Sequence, residues 1–162
     1  VYPREILTRE AKKYHKEFIS QRRAMGELDH PESSVVNLQN VSHNIKDMHW
    51  EGDNLLGTVE VLSTPSGNIL KELFKGNIKL GISSRGMGSV ETVTEDNGGQ
   101  SQEVQDDFEL IAFDFVSNPS THGAFMYPTG VNESIDKTIT SGRTCGEYCK
   151  VESIINDIMR GN

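Results

Sequence analysis

The amino-acid sequence predicts an α+β fold: an amphipathic helix at the amino end, a series of short β-favouring runs set off by glycine-rich turns, and helical periodicity that returns twice later in the chain. In "YPREILTREAKKYHKEFISQRR", Leu7, Ala11, Tyr14 and Phe18 recur at the spacing of one helical face, and Pro3 suits a first turn, so this stretch is a helix in one or two pieces. "MGELDHPESS" breaks it with Gly26 and Pro31 and reads as a loop carrying His30.

From Val41 to Leu62, "NIKDMHW" and "LLGTVEVL" flank "EGDN" as the two arms of a hairpin. "TPSGNILKELFKGN" is a short helix with Ile69, Leu70, Leu73 and Phe74 as its stripe, a Ser or Thr before it and Gly76 to close it. "IKLGISSRG" is a strand entering a glycine-rich stretch, and "SVETVTED" is the next strand, ended by "DNGG". The most apolar strand is "FELIAFDFVS", with Phe113 and Phe115 on one face and Ala112, Asp114 and Val116 on the other. After Pro119 the composition turns polar until about Lys150, and Val151, Ile154, Ile155, Ile158 and Met159 then form an amphipathic pattern. The division expected is a body over residues 1–130 and, over 131–162, a polar linker with a C-terminal amphipathic helix.

A chain of 162 residues suits one domain with a short appendage. With 16 basic and 24 acidic residues, a formal charge of −8, it lacks the basic footprint of a nucleic-acid binder. No window approaches the roughly 18 apolar residues of a membrane span, and "VYPREILTRE" lacks the apolar core of a signal peptide, so a soluble, intracellular protein is expected. The sequence opens at Val1 rather than at Met, and its natural amino end is expected upstream. Cys145 and Cys149, four apart, read as reduced structural thiols because no histidine lies near them to complete a metal site. His15 falls within the first helix, and His43 and His49 do not have the spacing that puts two ligands on one helical face. Neither a metal nor a cofactor is expected.

Chemistry concentrates in two places. His30 sits in a loop beside Asp29 and Pro31, and "GISSRGMGS" sets Ser83 and Ser84 between glycines with Arg85 after them. The second patch is neither a nucleophile elbow nor a phosphate loop, since neither its glycine spacing nor a following Gly-Lys-Ser/Thr fits. It is equally a strand ending in a glycine turn and a site where backbone N–H groups face an oxyanion.

"VYPREIL", "GELDHP", "IKDMHWEGDNLLGTVEVL", "GISSRGMGS" and "FDFVSNPS" occur in an order and spacing that resembles the prohead core proteases of T-even-type tailed bacteriophages, over Val1 to about Ser134. "GELDHP" and "GISSRGMGS" together make the likeness specific. The resemblance implies a fold similar to the herpesvirus assemblins, an antiparallel β-barrel core surrounded by helices. It also implies a serine endopeptidase with Ser83 as nucleophile and His30 as base, the third member matching Asp114. His122, Glu109 and Asp107 compete for that third place, and Ser84 is the alternative nucleophile. Arg85 and the N–H groups around Gly86 are oxyanion candidates, although Arg85 fits a surface carboxylate equally well.

The roles suit the residues. A serine hydroxyl needs a base to take its proton during attack, and a carboxylate on the far ring nitrogen fixes the tautomer and stabilises the imidazolium. Asp114, a lone charge in an apolar strand, is costly unless it has such a partner. By the same resemblance the enzyme works in the prohead interior within the host cytoplasm and cleaves scaffold and major capsid proteins after glutamate, with an apolar residue two positions earlier. It is expected to act without nucleic acid or membrane and to allow homo-oligomerisation. "VNES" matches the cleavage pattern, making Glu133–Ser134 a candidate self-cleavage site, although the motif is short and "LKEL", Leu70 to Leu73 in the second helix, fits it by chance. The competing readings are a noncatalytic capsid-assembly or scaffold-associated protein that retains the fold, and a hydrolase of small esters or amides.

Overall fold

Nine strands and two α-helices make up the described part of the protein: residues 2–94, 98–121, 123–128 and, for the backbone alone, 150–155, in a computed structural model. The first helix, α1 (Arg4–Tyr14), runs on into one π-helical turn, His15–Ile19, so the expected helix comes in two pieces. Ile6, Leu7, Ala11 and Tyr14 face the core, where Tyr14 stacks on Phe18 at 5.1 Å and meets Phe113 edge-on at 5.6 Å. Glu10 is buried on the same side because its carboxylate accepts the Leu110 N–H at 3.1 Å, fastening the helix to a strand.

The strands are β1 (Met25–Glu27), β2 (Val41–Glu51), β3 (Asn54–Val61), β4 (Gly81–Met87), β5 (Val90–Thr94), β6 (Gln100–Val104), β7 (Glu109–Val116), β8 (Met126–Pro128) and β9 (Lys150–Ile155). β2 and β3 form the expected hairpin, turning at Gly52 with φ of 59°. Between β3 and β4 lies α2 (Pro65–Lys75), where the Thr64 hydroxyl accepts the Gly67 N–H at 3.0 Å and Gly76 closes the helix. Its buried stripe is narrower than the sequence suggests: Leu70 and Phe74 are inside, but Ile69 is 53% exposed.

A five-stranded sheet ordered β1-β2-β3-β9-β8 faces the pair β4-β7, while β5-β6 forms a separate ribbon. All ladders are antiparallel. The expected barrel is therefore not one closed sheet among the described residues. Two narrow seams connect the larger parts: the Asp29 N–H donates to the Phe115 carbonyl at 2.8 Å, and the Ile82 and Met126 N–H groups donate to Ala124 and Leu80 at 2.9 Å each. The first seam is short because Asp29 turns the chain with φ of 71° and Pro31 follows. Ile45, Val59, Leu70, Ile82, Phe113 and Phe115 fill the space between the sheets.

Four elements depart from the sequence reading, among them β8, a strand in the stretch after Pro119 that reads as polar and irregular. β1 lies where a loop was expected, and β6, "QSQEV", is a polar strand that no apolar alternation marks. Residues 150–155 form a strand between β3 and β8 rather than the start of a C-terminal helix. Val151, Ile154 and Ile155 are β-branched and favour an extended backbone, and the spacing that fits a helical face also fits a ladder, with Val59 opposite Val151 and Leu55 opposite Ile155. Residues 131–149, with Glu133, Ser134 and both cysteines, and the rest of the expected helix from 156 on, lie outside the described residues. Among the described residues no helix is long and apolar enough to cross a membrane.

Gly26 explains β1. A Cβ there would stand 2.0 Å from the Phe113 carbonyl oxygen and 2.3 Å from His43 Nε2, so only glycine lets β1 cross this point. His43 is fully buried: one ring nitrogen pairs with the Phe113 carbonyl at 2.7 Å, the other with the Ser42 hydroxyl at 2.7 Å, and the ring meets Phe115 edge-on at 4.7 Å. Gly26→Ala is expected to cost roughly 1–3 kcal/mol or more, read as a lower midpoint in chemical denaturation.

Burial lowers the His43 pKa from 6.5 to about 4, opposed only in part by its bond to Phe113. Between those values the unfolded chain takes up a proton that the folded protein refuses. Stability from this group is therefore complete above about pH 6.5 and is lost as the pH falls toward 4, on the order of 3 kcal/mol in all. Urea titrations at pH 7 and pH 4.5 check this, and His43→Gln is expected to flatten the difference.

Candidate active site

The register between β4 and β7 sets Ser83 opposite Asp114 and Ser84 opposite Phe113. Because successive strand residues point to opposite faces, Ser83, Arg85 and Asp114 share one face, while Ile82 and Phe113 belong to the core face. β1 lies against this polar face. Its Glu27 N–H donates to Asp114 Oδ1 at 3.0 Å, and Asp114 Oδ2 pairs with His30 Nδ1 at 3.0 Å and Arg85 Nε at 2.9 Å.

The Arg85 guanidinium also donates from Nη2 to Glu27 Oε2 at 2.9 Å and from Nη1 to the Ser33 carbonyl at 2.8 Å. Glu27, Arg85 and Asp114 are all buried, and one guanidinium is shared by two carboxylates. "GELDHP" is thereby accounted for residue by residue: Gly26 for close approach, Glu27 for the ion pair, Leu28 bridging Phe115, and Asp29 in a left-handed turn. The Asp29 carboxylate accepts the His30 N–H at 2.9 Å, which aims His30 back at Asp114.

Burial pushes the Asp114 carboxyl above its ordinary range, and the Glu27 carboxylate adds to this; the Glu27 N–H, Arg85 and His30 pull the other way. Its bond to Nδ1 leaves Nε2 of His30 for another partner, on a side chain that is 43% exposed. A cleft of about 960 Å³ opens here, lined by His30, Ser83, Ser84 and Arg85, by Ser33 and Ser34 from the loop after β1, and by Ser120. The Ser83 hydroxyl is bonded to the Ser120 hydroxyl at 3.0 Å rather than to the His30 ring. Ser120 is placed by its neighbour: Pro119 lies so close over Gly81 that a Cβ there would meet its ring at 2.4 Å.

A family model described as prohead core protein serine protease matches residues 1–136. The chain belongs to this family. It is 33% identical over 138 residues to the prohead core protein protease of Enterobacteria phage T4, over 83% of this chain and 63% of that protein. It thus spans less than two thirds of that relative's length. The structure of the bacteriophage T4 capsid assembly protease is similar to it with a TM-score of 0.65 at 30% identity, over 74% of this chain and 72% of that one.

Within this prohead protease family member, Ser83 and His30 line one cleft, and Asp114 is buried behind the His30 ring. Ser84 lines the cleft too, but from the strand face that carries Ile82. Glu109 is not brought to it: that side chain is 68% exposed and pairs with Lys13 at 3.0 Å near the far end of β7. Asp107 is likewise elsewhere, its carboxyl held below the usual range by the Ser89 N–H and hydroxyl. His122 lies outside the described residues. Gly86 backs onto the Phe108 ring, 2.3 Å from where a Cβ would sit. Among the described residues no cluster of three or more His, Cys, Asp or Glu is arranged to hold a metal ion.

Sequence reasoning missed Glu27 and Ser120. Their partners lie 58 and 37 residues away, and no local pattern marks either. Removing the shared cation leaves two buried carboxylates uncompensated. Arg85→Gln is expected to lose about 3–5 kcal/mol at pH 7. With both carboxyls then more readily protonated in the folded than in the unfolded state, the deficit should shrink as the pH falls toward 4, which paired urea melts would show.

Proposed function

We propose that this chain is the catalytic body of a serine endopeptidase that acts in the phage prohead during capsid maturation. Ser83 is the nucleophile, His30 the general base and Asp114 the residue that orients it. The observation that carries this reading is the 3.0 Å pair between His30 Nδ1 and the buried Asp114 carboxylate, in the same cleft as Ser83. The family and the likeness to the T4 capsid assembly protease supply the class of reaction.

In this mechanism Ser83 Oγ leaves Ser120 and attacks the scissile carbonyl while its proton passes to His30 Nε2. Asp114 stabilises the resulting imidazolium. As the C–N bond breaks, His30 returns the proton to the leaving amine, and a water molecule then enters by the same base to release the acyl group and restore Ser83. A catalytic hydrogen bond that forms only with substrate is common in unliganded sites. For the oxyanion we favour backbone N–H groups around Gly86 over Arg85. The ladder is irregular between Arg85 and Gly86, which frees strand N–H groups, whereas Arg85 is already engaged by Asp114, Glu27 and Ser33.

The substrates in this proposal are scaffold and major capsid proteins, cut after glutamate inside the prohead in the host cytoplasm, with self-cleavage at Glu133–Ser134. The exposed Met87 and the half-buried Ile111 on the cleft wall suit an apolar residue two positions before the cut, and the serine hydroxyls suit a glutamate side chain. The catalytic body extends to about residue 130, and residues 131–149 link it to β9. We also assign the sheets to one barrel of the assemblin kind, a reading supported by the two seams at Phe115 and at Ile82–Ala124. The Ser83–Ser120 bond, taken alone, favours the noncatalytic assembly protein instead.

Turnover of a peptide with an apolar-x-Glu site decides between them. Ser83→Ala is expected to reduce it by roughly 10³-fold or more, with Ser84→Ala within about tenfold of the wild type. A folded wild type that neither cleaves nor binds a serine-reactive probe sinks the protease reading. Intact mass tests self-cleavage: loss of residues 134–162 from the wild type but not from Ser83→Ala supports it, and a tail retained in both rules it out.

A further inference from the structure

We propose that Glu27 is a positioning residue for the reaction: its buried carboxylate neutralises Arg85, so that the charge of Asp114 is left to act on His30. The proposal rests on the protease reading above and adds a fourth group to it. Arg85 stands between two carboxylates, 2.9 Å from Glu27 Oε2 and 2.9 Å from Asp114 Oδ2, and all three side chains are at least 95% buried. A guanidinium is always charged. Were Arg85 paired with Asp114 alone, the two charges would cancel and His30 would face a neutral couple.

With Glu27 added, two carboxylates share one cation, and the group carries one net negative charge beside a neutral His30. Proton transfer from Ser83 to His30 brings the whole cluster to neutrality, so the field of the cluster favours the state in which the imidazolium forms. This is stabilisation by fixed charge in a water-poor setting, where it is worth most. Glu27 also acts on the same assembly through the chain: Oε2 accepts the Asn37 N–H at 3.2 Å, and Arg85 holds the Ser33 carbonyl, so one ion pair ties down the loop that forms a wall of the cleft. Among the described residues, Asp29, whose carboxylate accepts the His30 N–H, and Glu32 on the cleft wall are further charged groups near the imidazole.

Glu27→Gln separates charge from geometry, because the amide oxygen can still accept from Arg85 and Asn37. The double variant Glu27→Gln/Arg85→Gln removes one charge of each sign and restores the net count of the wild type. The His30 ring, assigned by loss of its signals in His30→Gln, is followed by NMR titration in full-length protein, a readout that needs no turnover. The midpoint is expected to move to lower pH by about 0.5 unit or more in Glu27→Gln and to return near the wild-type value in the double variant. In parallel, kcat/KM on the apolar-x-Glu peptide should fall by roughly three- to tenfold, with its acid limb displaced the same way.

An unmoved midpoint in folded Glu27→Gln overturns the proposal even if the enzyme is active. A shifted midpoint without Ser83-dependent turnover upholds the electrostatic coupling and overturns the protease reading instead. Should Glu27→Gln not fold, the double variant alone decides, since a purely structural role predicts a displaced midpoint there and charge balance predicts none.

Discussion

A guanidinium buried between two carboxylates, each from a different strand, is the contact on which the rest of the cleft depends. Arg85 reaches from β4 to Asp114 on β7 and to Glu27 on β1, and so draws together the β4-β7 pair and the edge of the five-stranded sheet. Charge buried this deeply is tolerated only when each lone pair and proton has a partner. Main-chain groups at Glu27, Ser33 and Asn37 meet much of that demand, although Glu27 Oε1 and Arg85 Nε have no hydrogen-bond partner among the described residues, so the ion cluster dictates backbone positions as well as side-chain ones. His30 lies three residues along the chain from Glu27, and its placement follows from theirs.

Shape supports the electrostatics at two points. Gly26 brings β1 into contact with the Phe113 carbonyl and the His43 ring, and Gly81 admits Pro119. Each is a place where two segments meet at a distance that no larger residue permits. In the first the benefit is the reach of Glu27 to Arg85, and in the second it is the delivery of Ser120 to Ser83. The glycines of "GISSRGMGS" thus serve packing: Gly81 lies under Pro119, while Gly86 and Gly88 lie against Phe108.

Much of this was legible from residue order. Periodicity located α1 and α2, which each bury one face, and apolar, β-favouring runs located the β2–β3 hairpin, β4 and β7. The quoted motifs, by resemblance, pointed to Ser83, His30 and Asp114, which the fold brings to one face of the β4-β7 pair and the loop beside it. What stayed hidden has physical causes. β1 is three residues long, too short for any alternation, and β6 is polar except for Val104, the one residue it buries. β9 carries apolar residues whose spacing suits a helix or a strand, and only the open edge of β3 decides between them. Glu27 is an ordinary acidic residue in a polar stretch until Arg85, far along the chain, arrives beside it.

The position of β9 has a consequence for the polar segment before it. β9 is an inner strand, paired on one side with β3 and on the other with β8, although it is the last of the described elements along the chain. A break anywhere between β8 and β9 would therefore convert an internal strand into a separate peptide, held in the sheet by its main-chain ladders to β3 and β8. Its departure would be an unzipping step with its own rate, and the vacated slot, flanked by two strands with free donors and acceptors, would be a receptor for any extended chain of matching register.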